Sequence, residues 1–250
     1  MRDGLVAHFI DVGQGDATLI QTSGGNALID GGDRRAADAF TRYLRDAGVS
    51  SIAYVIATHP HADHIAGLVN VLYEFEVGAV IMPRVAHTTV TFERLLDAIE
   101  EKNIPVIEPV PGATFRLGDA VLTIVAPNSG GHRNLNNYSV SALVTYGATS
   151  FLFTGDAEVE SEDEMLANGL DLSAQVLHVG HHGSRTSTTE AFLQAVSPKI
   201  AVISVGASNS FGHPNAEVVQ RLESSGARVY RTDMHGTIVI ASDGSALTVR

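Results

Sequence analysis

His59-Pro60-His61-Ala62-Asp63-His64 gathers four metal-competent side chains into six residues, directly after the apolar run at residues 52–57. The run reads as a β-strand and the cluster as the loop at its end. Histidines at alternate positions of an extended segment point the same way, so His59 and His61 can share one ion. Asp63 and His64 are expected to continue into the turn and to hold another. A lone histidine there would be an ordinary polar loop residue; the full H-x-H-x-D-H pattern at a strand end is a ligand set.

Four more motifs flank this loop in order: Asp11-Val12-Gly13-Gln14-Gly15-Asp16, Leu28-Ile29-Asp30-Gly31-Gly32, Thr154-Gly155-Asp156 and Val179-Gly180-His181-His182-Gly183-Ser184. With the histidine loop they resemble the metallo-β-lactamase superfamily of two-metal hydrolases. Within it the match is to the hydrolase domain of ComEC, the DNA-uptake channel of bacterial competence, and its free-standing relatives. The resemblance runs from about Phe9 to the last strand. It implies an α/β fold, an αββα sandwich of two face-to-face β-sheets with helices outside and the metals at one edge.

The resemblance also assigns roles. Asp30, ending a strand, is expected to orient the metal loop without binding an ion. Asp156 follows an apolar strand whose end is a costly place for a charge, and a carboxylate bridging two cations accounts for it. One of His181 and His182 completes the second metal's shell while the other faces the substrate; His182 is the favoured ligand, since adjacent residues on extended chain point apart. His181 and Asp63 are the expected catalytic residues. The superfamily's further histidine before the bridging aspartate is missing, and Asn136-Asn137-Tyr138-Ser139 stands there. Asn137 is the aligned residue, a weak metal ligand or a neighbour of the ligands, with His132 as an alternative. An amide oxygen is harder than imidazole, which favours manganese over zinc at the His59/His61 site.

Composition bounds the alternatives. At 250 residues and 44% hydrophobic content the chain can bury a large core, and residues 1–250 are expected to form one domain. No apolar run is long enough for a membrane span and no leader pattern is present, so a channel-linked version would have its membrane part elsewhere. Absence of cysteine removes disulfides and thiolate ligands, leaving imidazole, carboxylate and amide groups for two divalent ions, manganese or zinc. The net charge of −12, with 16 basic against 28 acidic residues, opposes extended binding to a phosphate backbone. A catalytic site escapes that objection because bound ions would bring positive charge to the place a phosphate must occupy.

Strand-like runs are expected at 6–12, 17–21, 26–30, 52–57, 80–82, 121–126, 140–146, 150–154, 175–179, 200–204, 228–230, 237–240 and 246–249. Helices are expected at about 35–47, 92–102, 158–167, 188–196 and 216–224, the first ended by Gly48 and the second by Pro105. Ser187-Thr188-Thr189-Glu190 reads as a capping box, making residues 181–185 a short loop. Pro214 suits the first turn of the last helix, which makes a structural cap the favoured role for His213 over a substrate contact. Ser184, Arg185 and His213 are the candidate substrate contacts, with Arg84 and Arg133 as further cations.

No G-x-S-x-G elbow and no G-x-x-x-x-G-K-[ST] loop occurs, so a serine esterase and a P-loop enzyme are poor fits. Two ions suit hydrolysis, neutralising charge on phosphoryl oxygens. The resemblance implies a DNase acting during DNA uptake. The alternatives are a phosphodiesterase for a smaller ester, like the phosphorylcholine esterases, and a non-catalytic metal-stabilised module that guides DNA or docks onto a channel. Linked to a channel, the domain would sit on the outer side of the cytoplasmic membrane; free-standing, it would stay in the cytoplasm.

Overall fold

The computed structural model describes residues 4–250. In chain order the elements are β1 (Leu5–Phe9), β2 (Thr18–Thr22), β3 (Gly25–Ile29), α1 (Ala37–Asp46), β4 (Ser51–Ile56), α2 (Ala62–Glu74), β5 (Glu76–Ile81), α3 (Val90–Glu101), β6 (Val106–Ile107), β7 (Thr114–Leu117) and β8 (Ala120–Ala126). They continue with β9 (Ser141–Tyr146), β10 (Thr149–Phe153), α4 (Val159–Asn168), β11 (Val176–His178), α5 (Glu190–Val196), β12 (Ile200–Ile203), α6 (Ala216–Ser224), β13 (Arg228–Arg231), α7 (Thr232–His235), β14 (Ile238–Ser242) and β15 (Leu247–Val249). Two mixed sheets result, ordered β15-β14-β1-β2-β3-β4-β5-β6 and β13-β12-β11-β10-β9-β8-β7. The last hairpin returns to the first sheet, where β14 pairs antiparallel with β1.

Period-two alternation sends each strand's side chains to two cores. Phe151 and Phe153 of β10 enter the layer between the sheets, where Phe153 stacks on Phe9 at 5.9 Å, while Leu152 points to the outer side. That inner layer also takes Leu5 and Ala7 of β1 and Ile240 of β14. Leu28, Val55 and Val80 meet α1, α2 and α3 on one outer face, and Leu177 and Ile203 meet α4, α5 and α6 on the other. The expected αββα sandwich is therefore present. Among the described residues no helix is long and apolar enough to cross a membrane.

Several expectations need correction. Asp63 and His64 lie in the first turn of α2, where the sequence predicts only a turn. The helix begins without a side-chain cap bond, with His61 at its N-cap position, and an acidic Asp63 in the first turn suits the helix dipole. The capping box at 187–190 does not form. Thr189 is the N-cap of α5, Ser187 Oγ donates to the carbonyl of Ala157, and the Glu162 carboxylate accepts from the backbone N–H groups of Thr188 and Thr189. Asn215, with its side chain accepting from Glu217 N, caps α6, so His213 has no capping role there, and the single turn α7 follows. β6 and β7 are short strands that the sequence did not announce.

Candidate metal centre

The strand ends of both sheets deliver acids and histidines to one edge. From the first sheet, Asp30 follows β3 and residues 57–61 follow β4. Asp30 is fully buried and takes a left-handed φ of 58°. Its Oδ1 accepts from Thr58 N at 2.9 Å, and its Oδ2 accepts from Thr58 Oγ1 and from His64 Nδ1, both at 2.7 Å. Thr58 Oγ1, having donated its proton, accepts from His59 Nδ1 at 3.1 Å. One carboxylate thus orients His64 directly and His59 through a threonine, leaving the Nε2 atoms of both rings facing inward.

The first loop closes over this arrangement. Gly15 has a φ of +135°, and a Cβ there would lie 2.2 Å from the carbonyl oxygen of Asp63. Only glycine permits that approach, which lets Asp16 N donate to the same oxygen at 3.2 Å. Gln14 ties the loop to the opposite sheet by accepting from Gly206 N at 3.1 Å.

From the second sheet, Asp156 follows β10, with its backbone N–H donating to Ser139 Oγ at 3.0 Å. Its two oxygens face different neighbours. Oδ2 lies 3.5 Å from His59 Nε2 and 3.8 Å from His181 Nε2; Oδ1 lies 3.3 Å from His64 Nε2 and 3.7 Å from His182 Nε2. His61 Nδ1 adds to the first side, 3.0 Å from His59 Nε2, and Asp63 Oδ2 to the second, 3.3 Å from His182 Nε2. For comparison, two ligands of one tetrahedral ion with bonds of about 2.1 Å stand roughly 3.4 Å apart.

His181 and His182 are not on extended chain, as the sequence reading supposed: both adopt left-handed φ values, 49° and 53°. That turn is strained for non-glycine residues. It nevertheless separates the rings. His182 is buried, with Nδ1 against the Ser204 carbonyl at 3.0 Å and 3.2 Å from Asp16 Oδ1. His181 is partly exposed, and its Nδ1 meets Glu158 Oε1 at 3.1 Å. Glu158 also accepts from Asn134, Asn136 and Thr186.

The donor set could hold cations. Asp16 Oδ1 and Oδ2, Asp156 Oδ1, His64 Nε2 and His182 Nε2 are buried without a hydrogen-bond partner. Four acids, Asp16, Asp30, Asp63 and Asp156, converge on these histidines, and groups such as Asp63–His64–His182, His59–His64–Asp156 and Asp16–Asp156–His182 bring ligand atoms within 4.8 Å of one another. Burial alone would push the His64 imidazole down, yet Asp156 and Asp30 outweigh it and hold it well above its ordinary value. His182 behaves alike, with burial outweighed by Asp156 and Asp16. Asp156 runs the other way: burial would raise it, but His64, His182 and His59 keep it well below the carboxylate range. Carboxylates that favour the charged form of these imidazoles would equally favour cations in their place.

Not every expected residue comes to this point. The Asn137 amide is committed elsewhere, accepting from Glu158 N at 3.0 Å and donating to Glu160 Oε2 at 3.0 Å. His132 turns to α4, against Glu160 and Glu164. Asn136 is the asparagine that approaches, with Nδ2 3.4 Å from His181 Nε2. The Ser184 hydroxyl pairs with Thr186 Oγ1, and Arg185, like Arg84 and Arg133, is exposed. His213 stands beside the site, its ring 5.4 Å from that of His181. Asp16 was missed as a site residue, although it is 2% exposed and closes on His182. Its signal was the motif that carries it.

Comparison with known proteins agrees with the fold. A sequence profile of the metallo-beta-lactamase superfamily matches residues 10–207. The chain is 32% identical over 247 residues to ComE operon protein 3 of Bacillus subtilis, covering 92% of this chain and 32% of that protein. It is 30% identical to Recombination protein 2 of Haemophilus influenzae and 28% identical to Competence protein ComA of Neisseria gonorrhoeae, covering 92% and 91% of this chain and 28% and 31% of those proteins. The chain thus spans about a third of the length of these relatives. Among solved structures, the metallo-beta-lactamase fold protein YhfI of Bacillus subtilis superimposes with a TM-score of 0.64 at 12% identity, covering 95% of this chain and all of that one. The diiron β-hydroxylase CmlA of Streptomyces venezuelae gives 0.61 at 16% identity, covering 92% of this chain and 53% of that one.

Proposed function

Because the chain belongs to the metallo-β-lactamase superfamily, we propose that it is a binuclear metal-dependent phosphodiester hydrolase whose substrate is DNA. The single observation that carries the hydrolase part is the division of the Asp156 carboxylate, with Oδ2 toward His59 and Oδ1 toward His64 and His182. One buried carboxylate shared by two nitrogen-rich groups suits a pair of divalent ions, manganese or zinc. His59, His61 and Asp156 would hold one, and Asp63, His64, His182 and Asp156 the other. Such ions supply Lewis acidity toward a phosphoryl oxygen and lower the pKa of water. The DNA part is supported by the relatives, which are named for competence and recombination.

In this mechanism the chain's own groups move the protons. Of the four acids at the centre Asp63 reaches furthest toward solvent, with a side chain 33% exposed, and its carboxylate would take a proton from attacking water. Burial would raise its carboxyl, but the close contact with His182 and the charge of His64 keep it well below the usual range, so it is ionised at neutral pH. His181 faces the centre through Nε2 and Glu158 through Nδ1, an arrangement that holds the ring ready to protonate the leaving oxygen. His64 and His182 are buried and serve as ligands.

Given relatives about three times as long, the chain would act as the hydrolase module beside a membrane channel of the same or an associated protein, on the outer side of the cytoplasmic membrane. The test is cleavage of labelled DNA by manganese- or zinc-loaded protein. Asp63→Asn should lower the rate by several orders of magnitude. DNA left intact by protein shown to hold two ions would refute the proposal.

A further inference from the structure

Of the nine phenylalanines, eight are buried or half-buried, and Phe211 alone is 67% exposed. It is placed on a loop that is held in shape. Asn209 Oδ1 accepts from the N–H groups of Phe211 and His213, both at 3.1 Å, and Asn209 Nδ2 donates to the carbonyls of Gly206 and His213. The loop is tied down at its start by Gly206 N to Gln14 and at its end by Asn215 N to the Gly183 carbonyl at 2.9 Å. Phe211 stacks on His213 with ring centroids 5.9 Å apart and planes 27° from parallel. His213 in turn lies 5.4 Å from His181 and 6.3 Å from His182. A file of rings therefore runs from open solvent to the candidate centre.

Away from the candidate centre, net charge opposes extended hold on a polyanion, since acidic residues outnumber basic ones 28 to 16. Stacking on an aromatic face needs no net charge and accepts any base. We propose that Phe211, backed by His213, is a platform on which an unpaired base of a single-stranded nucleic acid stacks next to the scissile phosphate. Bases inside a duplex have both faces covered, so the platform selects single strands and frayed ends. The proposal rests on the phosphodiesterase function above and adds to it the form of the substrate.

Manganese-loaded protein is assayed on a labelled single-stranded oligonucleotide, the same strand with abasic sites around the scissile position, and the matching duplex. The wild type should show a KM roughly tenfold lower on the intact strand than on the abasic one, the scale of one stacked base. In Phe211→Ala this preference should fall to near unity, and Phe211→Trp should keep it, with melting temperatures confirming that both variants fold. Equal preference in wild type and Phe211→Ala would overturn the platform while the phosphodiesterase function stands; that result would also be expected if Phe211 instead docks a protein surface. Cleavage of neither strand by protein that binds its metals would overturn the phosphodiesterase function and the platform with it.

Discussion

Glu158 Oε1 lies 3.1 Å from Nδ1 of His181, at the point where α4 and the left-handed turn after β11 both begin. Although burial would raise this carboxyl, hydrogen bonds from His181, Asn136 and Thr186 hold it below its ordinary value, so it stays anionic beside the ring. Glu158→Gln should therefore lower kcat on DNA by about 10–100-fold, part of what general acid catalysis contributes. On a p-nitrophenyl phosphodiester, whose leaving group departs without protonation, the loss should be small. Equal losses on both substrates would assign Glu158 a purely structural role.

Asp16 should prove necessary for metal affinity. Both of its oxygens are buried without a hydrogen-bond partner, and Oδ1 lies 3.2 Å from His182 Nδ1. Asp16→Asn should weaken binding of at least one ion by about 10–100-fold, the usual cost of losing a group that supports the ligands. The same change should lower the melting temperature of chelated protein at neutral pH, because, although burial would raise the Asp16 carboxyl, His178 and His182 hold it below its ordinary value and its charge supports His182 in return. Calorimetric titration with manganese and a melt in chelator read the two effects separately.

Loading with ions should stabilise the fold. A ligand at 100 times its dissociation constant adds about 2.7 kcal/mol per site, and a chain of this size shifts its Tm by about 2–4 °C per kcal/mol. Two sites should therefore raise the melting temperature by about 10–20 °C over protein treated with chelator. Elemental analysis should find two ions per chain; saturation at one would remove the binuclear arrangement.

The pH dependence of chelated protein should run opposite to that of metal binding. His64 and His182 are raised above their unfolded values by neighbouring carboxylates, so they stabilise the fold fully below about pH 6.5 and lose that contribution as pH rises through their folded values. Asp156 is depressed, so its contribution is present above about pH 4 and is lost only as pH falls through its lowered value. Chelated protein should melt lower at pH 9 than at pH 6. Ligands must shed protons to bind metal, so the stabilisation by manganese should grow over the same interval. Melts with and without chelator across pH 5–9 would show whether the two curves diverge.

The strands were legible because alternation and turn residues are local signals, and β8, β9, β10 and α6 fall within a residue or two of where the sequence puts them. The ligand loop was legible because its residue types are rare at a strand end. What lay hidden depended on distant partners. α2 starts on the histidine-rich loop with no side-chain cap and carries Gly67, whose missing Cβ lets the helix lie against the Gly31 carbonyl. Asp16 reaches the site through the close approach of Gly15 to Asp63, which no local pattern encodes. The choice between Asn136 and Asn137 was decided by a tight 3₁₀ turn at Leu135–Tyr138, which rotates one amide toward His181 and the other toward Glu158 N. The capping box failed because α5 is capped two residues later, by Thr189, while Glu162, from a different helix, takes the Thr188 and Thr189 N–H groups.

The division of Asp156 also sets an order of events for a growing chain. His59, His61, Asp63 and His64 are synthesised long before Asp156, His181 and His182, and the two groups belong to different sheets. Until the later strands dock, the early histidines have no shared carboxylate. On the proposed binuclear reading, firm metal retention would thus be a late event in biogenesis, and an ion seated between His59, His64 and Asp156 would rivet the two sheets at that edge.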